Sequence, residues 1–188
     1  MRVVSGLYKG KNITIPEGNT TRPTGARAKE GIFSALGDIV EDCRLFEPFC
    51  GSAQISIEAL SRGAEFALGC EIDKKAYAAI KKNIDLIGVK DFTLLNSDYK
   101  KALNKIKEYA PFNLFFLDPP YNAGKNNQCL EAIEFILKNN LASENAVFVC
   151  EISSFDTLPG KFLDLTLKKE YKYSAAKVYI YHCVKGGK

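Results

Sequence analysis

The chain has 188 residues, 46% of them hydrophobic and 26% charged, with a formal net charge of +4, which suits one well-buried domain plus a small appendage. No apolar run approaches the roughly 20 residues that cross a bilayer, and Met1–Gly6 lacks the apolar stretch of an export signal, so a cytoplasmic protein without membrane contact is expected. Six cysteines without a C-x-x-C pair, and His182 as the one histidine, speak for free thiols and against a metal site.

The charge is unevenly spread. Residues 1–30 carry six Lys/Arg against two acids and residues 161–188 carry seven against two, while 31–160 hold thirteen against eighteen. Basic ends around an acidic centre point to a polyanionic partner, although lysine-rich termini can also serve solubility alone.

In chain order, Met1–Val4 and Lys11–Ile15 flank Gly6-Leu7-Tyr8-Lys9-Gly10, a small hairpin with a basic, aromatic tip. After a turn at Pro16–Asn19, Thr24 is placed to cap a helix whose apolar face is Ile32, Phe33, Leu36 and Ile39. Arg22, Arg27 and Lys29 crowd the start of that helix, where its dipole would reinforce phosphate attraction; a solvated helix face is the plainer alternative. Strands are expected at Leu45–Glu47, Phe66–Glu71, Phe92–Asn96, Leu114–Leu117 and Ala146–Glu151. Helices should intervene through Ile55–Leu60, from Lys74 to about Leu86, to about Tyr109, and through Leu130–Leu137. Alternating strand and helix implies βαβ crossovers and a mostly parallel sheet. Phe162–Leu167 and Ala176–Tyr181 alternate with period two and should close the sheet as an antiparallel hairpin. The expected division is an extension over residues 1–40 and a catalytic domain over 41–188.

The chemistry centres on Leu114-Phe115-Phe116-Leu117-Asp118-Pro119-Pro120-Tyr121. Four apolar residues read as a strand buried on both faces, and two prolines stop helix and ladder together. An acid, proline carbonyls and an aromatic ring are thereby set at the carboxyl end of a central strand, where open α/β sheets bind ligands. Asp118 and the Pro119 carbonyl can each accept one hydrogen of an exocyclic amine while Tyr121 stacks on the base. The same residues could be a strand end and a loop.

Glu47 on the first strand, Gly51 in the following turn and Glu71 ending the second strand form a nucleoside-binding arrangement. Gly51 admits close backbone approach, and Glu71 can hold both ribose hydroxyls. Gly51–Ser56 lacks the later glycines of G-x-G-x-x-G, which disfavours NAD. Negative charge from Glu47 suits a sulfonium and an amino group, so S-adenosylmethionine fits better. Asp98, after the third strand, could accept from the adenine amine or cap a helix.

These motifs resemble the class I methyltransferases, and specifically the RsmD-type family that methylates a guanine N2 of 16S ribosomal RNA. The likeness covers Gly6–Lys11, Arg22-Pro23-Thr24 through Arg27, Glu30 and Phe33, then Phe49-Cys50-Gly51-Ser52, Glu58–Gly63, Glu71-Ile72-Asp73, Asp118–Tyr121 and the Tyr173–Tyr181 strand. Glu47 stands where the family usually has Asp, and Ala53 where Gly is common. The resemblance implies a Rossmann-like, mostly parallel seven-stranded sheet with a C-terminal antiparallel hairpin and a small N-terminal hairpin-and-helix extension. It also implies a cofactor site of Glu47, Phe49, Gly51, Ser52, Glu71, Ile72, Asp98 and Asp118. Catalysis falls to Asp118, Pro119, Pro120 and Tyr121, and RNA docking to Lys9, Lys11, Arg22, Arg27 and Lys29. The implied partner is 16S rRNA or the small ribosomal subunit, with no obligate protein partner. Two rivals remain: an adenine-N6 methyltransferase using the same tetrapeptide, and a non-catalytic ribosome-assembly factor.

Overall fold

A computed structural model describes residues 1–15, 25–120 and 127–183. Its strands are β1 (Arg44–Glu47), β2 (Phe66–Cys70), β3 (Phe92–Leu95), β4 (Phe112–Leu117), β5 (Ala142–Ser153), β6 (Lys161–Phe162), β7 (Leu165–Lys172) and β8 (Ala176–Cys183). They form one sheet in the order β3-β2-β1-β4-β5-β8-β7-β6. The first five are parallel neighbours, and β8, β7 and β6 add on antiparallel. The sheet therefore has eight strands where seven were expected. Leu163 takes a left-handed conformation (φ 50°), which turns the chain after Phe162. The expected Phe162–Leu167 strand is thus split into the short β6 and a β7 that runs on to Lys172.

Among the described residues, five α-helices complete the fold: α1 (Ala26–Leu36), α2 (Gln54–Ser61), α3 (Lys74–Ile87), α4 (Leu103–Lys107) and α5 (Asn127–Lys138). The period-two alternation of the strands sorts their side chains between two cores. Leu45, Ala67, Leu114, Phe116, Val147 and Val149 face α1, α2 and α3, whereas Phe46, Leu68, Phe115, Leu117, Phe148 and Cys150 face α4 and α5. Phe115 and Phe148 stack at 4.4 Å between ring centroids, and Phe46 stacks on Phe112 at 5.3 Å. All six cysteines are buried free thiols. Among the described residues, no helix is long and apolar enough to cross a membrane.

The N-terminal segment shares the first of these cores. Val3, Tyr8, Ile13, Ile32, Phe33 and Leu36 are buried together with the strand residues on that side. The expected hairpin is reduced to a single antiparallel bridge, Arg2 to Asn12. Its tip exposes Leu7 and Lys9, but Tyr8 turns inward and its hydroxyl accepts the Lys90 N–H at 3.3 Å, so the tip is not aromatic. Thr24, expected to cap α1, lies outside the described residues; the residue before the helix is Gly25.

Candidate active site

Strand order reverses at β1, which has β2 on one side and β4 on the other. In an open α/β sheet this places a crevice beyond the carboxyl ends of β1 and β4. Side-chain parity then brings acids together at that edge. Glu47 continues the face of Leu45, Glu71 that of Ala67, Asp118 that of Leu114 and Phe116, and Glu151 that of Val147 and Val149. Leu117 lies opposite Cys150, so Asp118 and Glu151 come next at the same level.

Glu71 fastens the glycine turn. Its Oε2 accepts the Gly51 N–H at 2.8 Å and its Oε1 accepts the Asp73 N–H at 2.8 Å. Each carboxylate oxygen has a second lone pair, so a ribose diol can still be held. Burial pushes the Glu71 carboxyl up, and the two N–H bonds offset only part of that rise. Gly51 is left-handed (φ +55°), and a Cβ built there would meet nothing within 4 Å. The turn thus faces open space at backbone range. Ala53, also left-handed (φ 55°), carries strain of about 1–2 kcal/mol that glycine would avoid. Next to Glu71, Ile72 is 70% exposed, an apolar surface of the kind an adenine ring covers. Ser52 is half-buried in the turn, and the half-buried Phe49 packs edge-on against Tyr99 at 5.4 Å.

Glu47 is held by the first turn of α2. Its Oε2 accepts both the N–H and the hydroxyl of Ser56. Burial nevertheless pushes its carboxyl up to about 8. Without a cation beside it, burial therefore disfavours the charged form of Glu47. Asp118 is half-buried and pushed well above the usual carboxylate range, first by burial and then by the charges of Glu151 and Glu47. Pro119 is half-buried and Pro120 exposed; Tyr121 lies outside the described residues. Asp98 Oδ1 accepts the N–H groups of Lys100 (2.9 Å) and Lys101 (3.3 Å), so it caps the turn that leads into α4.

Lys29 requires a correction. It was expected among the RNA-contacting residues, yet it is 1% exposed and bonds Glu58 Oε2 at 2.8 Å and the Arg2 carbonyl at 2.9 Å. Positions 29, 32, 33 and 36 share one helical face, so Lys29 points inward with Ile32, Phe33 and Leu36. Lys9, Lys11 and Arg27 are exposed, and Arg22 lies outside the described residues.

Glu58, which residue-by-residue reading of the sequence passed over, is the anchor of this whole segment. Its two oxygens accept the Val4 and Ser5 N–H groups at 2.9 and 3.1 Å, and Arg62 Nε donates to it at 2.9 Å. Burial would raise its carboxyl, but the bonds from Lys29, Val4 and Arg62 outweigh that and hold it below the usual range. One turn on, the Ser61 hydroxyl accepts the Tyr8 N–H, and the Ser61 carbonyl accepts the Leu7 N–H at 2.7 Å. Gly6 (φ +80°) passes so close that a Cβ would lie 1.5 Å from that carbonyl oxygen. The legible signal was an acid within the apolar run of α2. Glu151, buried beside Asp118, was likewise read only as a strand end.

The family model described as "Conserved hypothetical protein 95" matches residues 1–182. The Bacillus subtilis protein YlbH is 33% identical over 183 residues, covering 96% of this chain and 98% of that one. The ribosomal RNA small subunit methyltransferase D of Buchnera aphidicola is 32% identical over 141 residues, covering 73% of each. The fold is that of an RNA methyltransferase from Salinibacter ruber solved with S-adenosyl-L-homocysteine. That structure superposes with a TM-score of 0.65 at 18% identity, covering 89% of this chain and 97% of its own. Together with the acids at the sheet's switch point, these likenesses identify the chain as a member of the family described as conserved hypothetical protein 95, the RsmD-type S-adenosylmethionine-dependent rRNA methyltransferases.

Proposed function

We propose that this enzyme methylates the exocyclic N2 amine of a guanine in 16S rRNA, as free RNA or within the small ribosomal subunit. S-adenosylmethionine is its cofactor. The observation that carries the proposal is the placement of Asp118, followed by two prolines, at the same sheet edge as the Gly51 turn and Glu71. The residues present fit that cofactor. Glu71 has lone pairs for the ribose, Ile72 an apolar surface for the adenine, the turn at Gly51 open space, and Glu47 a carboxyl for positive charge. Asp98, Phe49 and Ser52 complete the rim. When bound, the cofactor supplies an electrophilic methyl group on a sulfonium.

The protein's own part is positioning. Asp118 and the Pro119 carbonyl take the two amine hydrogens, which turns the nitrogen lone pair away from the base and toward the methyl group. Asp118 accepts an N–H most strongly when ionised, and positive charge bound beside it favours that form. Once the nitrogen carries the methyl group and a positive charge, Asp118 or water takes one proton, leaving a neutral methylated amine. Pro120 fixes the turn, and Tyr121 is assigned to stack on the target base. Lys9, Lys11, Arg22 and Arg27, on an extension of residues 1–40 before the catalytic domain of 41–188, are assigned to the RNA backbone.

The test is transfer of a labelled methyl group to small-subunit rRNA, followed by nucleoside mapping. N2-methylguanosine is the expected product. N6-methyladenosine would establish the adenine alternative, and RNA binding without transfer would establish the assembly factor.

A further inference from the structure

We propose that Phe155 is a stacking platform for an unpaired RNA base flanking the target nucleotide. The proposal rests on the RNA-methylating function above and adds a contact outside the amine-binding residues. Phe155 is 94% exposed, more than any other large apolar side chain among the described residues. Its backbone is nevertheless held on both sides. The Ser154 N–H donates to the Ala175 carbonyl at 3.2 Å, and the Asp156 N–H to the Ser153 carbonyl at 3.0 Å. Lys177 Nζ donates to the Asp156 carbonyl at 2.8 Å, and the Tyr181 hydroxyl to the Pro159 carbonyl at 2.7 Å. The ring is thus presented to water by an anchored turn, and little conformational entropy remains to be lost when something covers it.

Its location selects the occupant. β5 runs parallel to β4, with Glu151 level with Asp118, so Phe155 leaves the sheet at the edge that carries the amine acceptor. At roughly 3.3 Å per extended residue its backbone is at most about 13 Å beyond Asp118, within reach of a neighbouring nucleotide of the same strand. The flanking Ser153, Ser154, Asp156 and Thr157 are polar, so the turn itself adds no apolar surface to the ring of the kind a protein partner would need. A base offers what a lone ring can use, a flat π-face that tolerates any sequence. Lys177 stands beside the turn, and an ammonium has three hydrogens, so it can bond a phosphate as well as the Asp156 carbonyl.

The experiment compares Phe155→Ala, Phe155→Leu and Phe155→Trp as full-length proteins, with in vitro transcribed 16S rRNA and with small subunits as substrates. Phe155→Ala should raise the KM for RNA about 5- to 150-fold, the equivalent of leaving one base unstacked. The KM for S-adenosylmethionine should not change and kcat should change little. Phe155→Trp should restore the wild-type KM, and Phe155→Leu, apolar but without a π-face, should resemble the alanine variant. An alanine variant within twofold of wild type on both substrates would overturn the role, as would a leucine variant equal to wild type. Sedimentation showing a dimer that Phe155→Ala dissolves would assign the ring to a second copy and overturn it too. A wild-type enzyme that methylates no rRNA would overturn the proposed function itself; active wild type with an unaffected alanine variant would overturn only the stacking role.

Discussion

Replacing Glu47 by glutamine isolates the proton that burial forces onto this carboxyl. The glutamine keeps the shape and an oxygen for Ser56 but cannot ionise. In the wild type the folded value of about 8 stands above the ordinary 4.5. Folding is therefore favoured fully below 4.5, and that contribution is lost as pH rises toward 8. Over this window wild-type stability should fall relative to the variant by about 1.4 kcal/mol per pH unit, or roughly 2–3 kcal/mol between pH 5 and 7. Urea unfolding of both proteins at pH 5, 6, 7 and 8 measures the difference directly. Cofactor binding provides a second reading. A cation beside Glu47 favours its ionised form, so calorimetry at pH 7 in buffers of different ionisation enthalpy should show about one more proton released by wild type than by Glu47→Gln. Parallel stability profiles with equal proton release would refute the reasoning, because Glu47 would then be charged in the free protein.

Asp118→Ala should lower turnover on the order of 100-fold or more while weakening S-adenosylmethionine binding far less, and labelled-methyl transfer at wild-type rate would end its catalytic assignment. Glu58→Ala should destabilise the protein by about 3–5 kcal/mol by stranding the Lys29 ammonium, as read by denaturant midpoint. Because the Glu58 carboxyl is held low, its stabilising contribution is present above pH 4.5 and should fade as pH drops further, an acid-limb loss that the alanine variant should lack. Neutralising Lys9, Lys11 and Arg27 together should weaken RNA binding and flatten its log–log salt dependence by somewhat under one unit for each phosphate no longer neutralised, with cofactor affinity unchanged; an unaltered slope would leave these cations without a role in docking.

Local pattern was enough for most of the frame. The apolar runs ending in Glu47, Glu71 and Asp118 fold as parallel strands because they are buried on both faces, and their carboxyl ends carry the acids as their spacing indicates. Lys29 was misread because its partner, Glu58, lies 29 residues away, and no local window shows that a charged residue on an apolar helical face has found a counter-ion. The upward push on the Glu47 carboxyl escaped for a related reason, since it answers to three-dimensional burial. Helix α4 begins only at Leu103, because the N–H groups that Asp98 accepts belong to a turn at Lys100 and Lys101 that precedes it.

The anchoring of the N-terminal arm on Glu58 also sets an order for biosynthesis. Val4 and Ser5 find their carboxylate 54 and 53 residues later in the chain, and Thr14 finds Asn83 69 residues later. At roughly 5–20 residues per second, translation separates those partners by about 3–14 seconds, during which the basic arm has left the ribosome with nothing to fold upon. The segment synthesised first is therefore among the last to settle, once α2 and then α3 have emerged beside it.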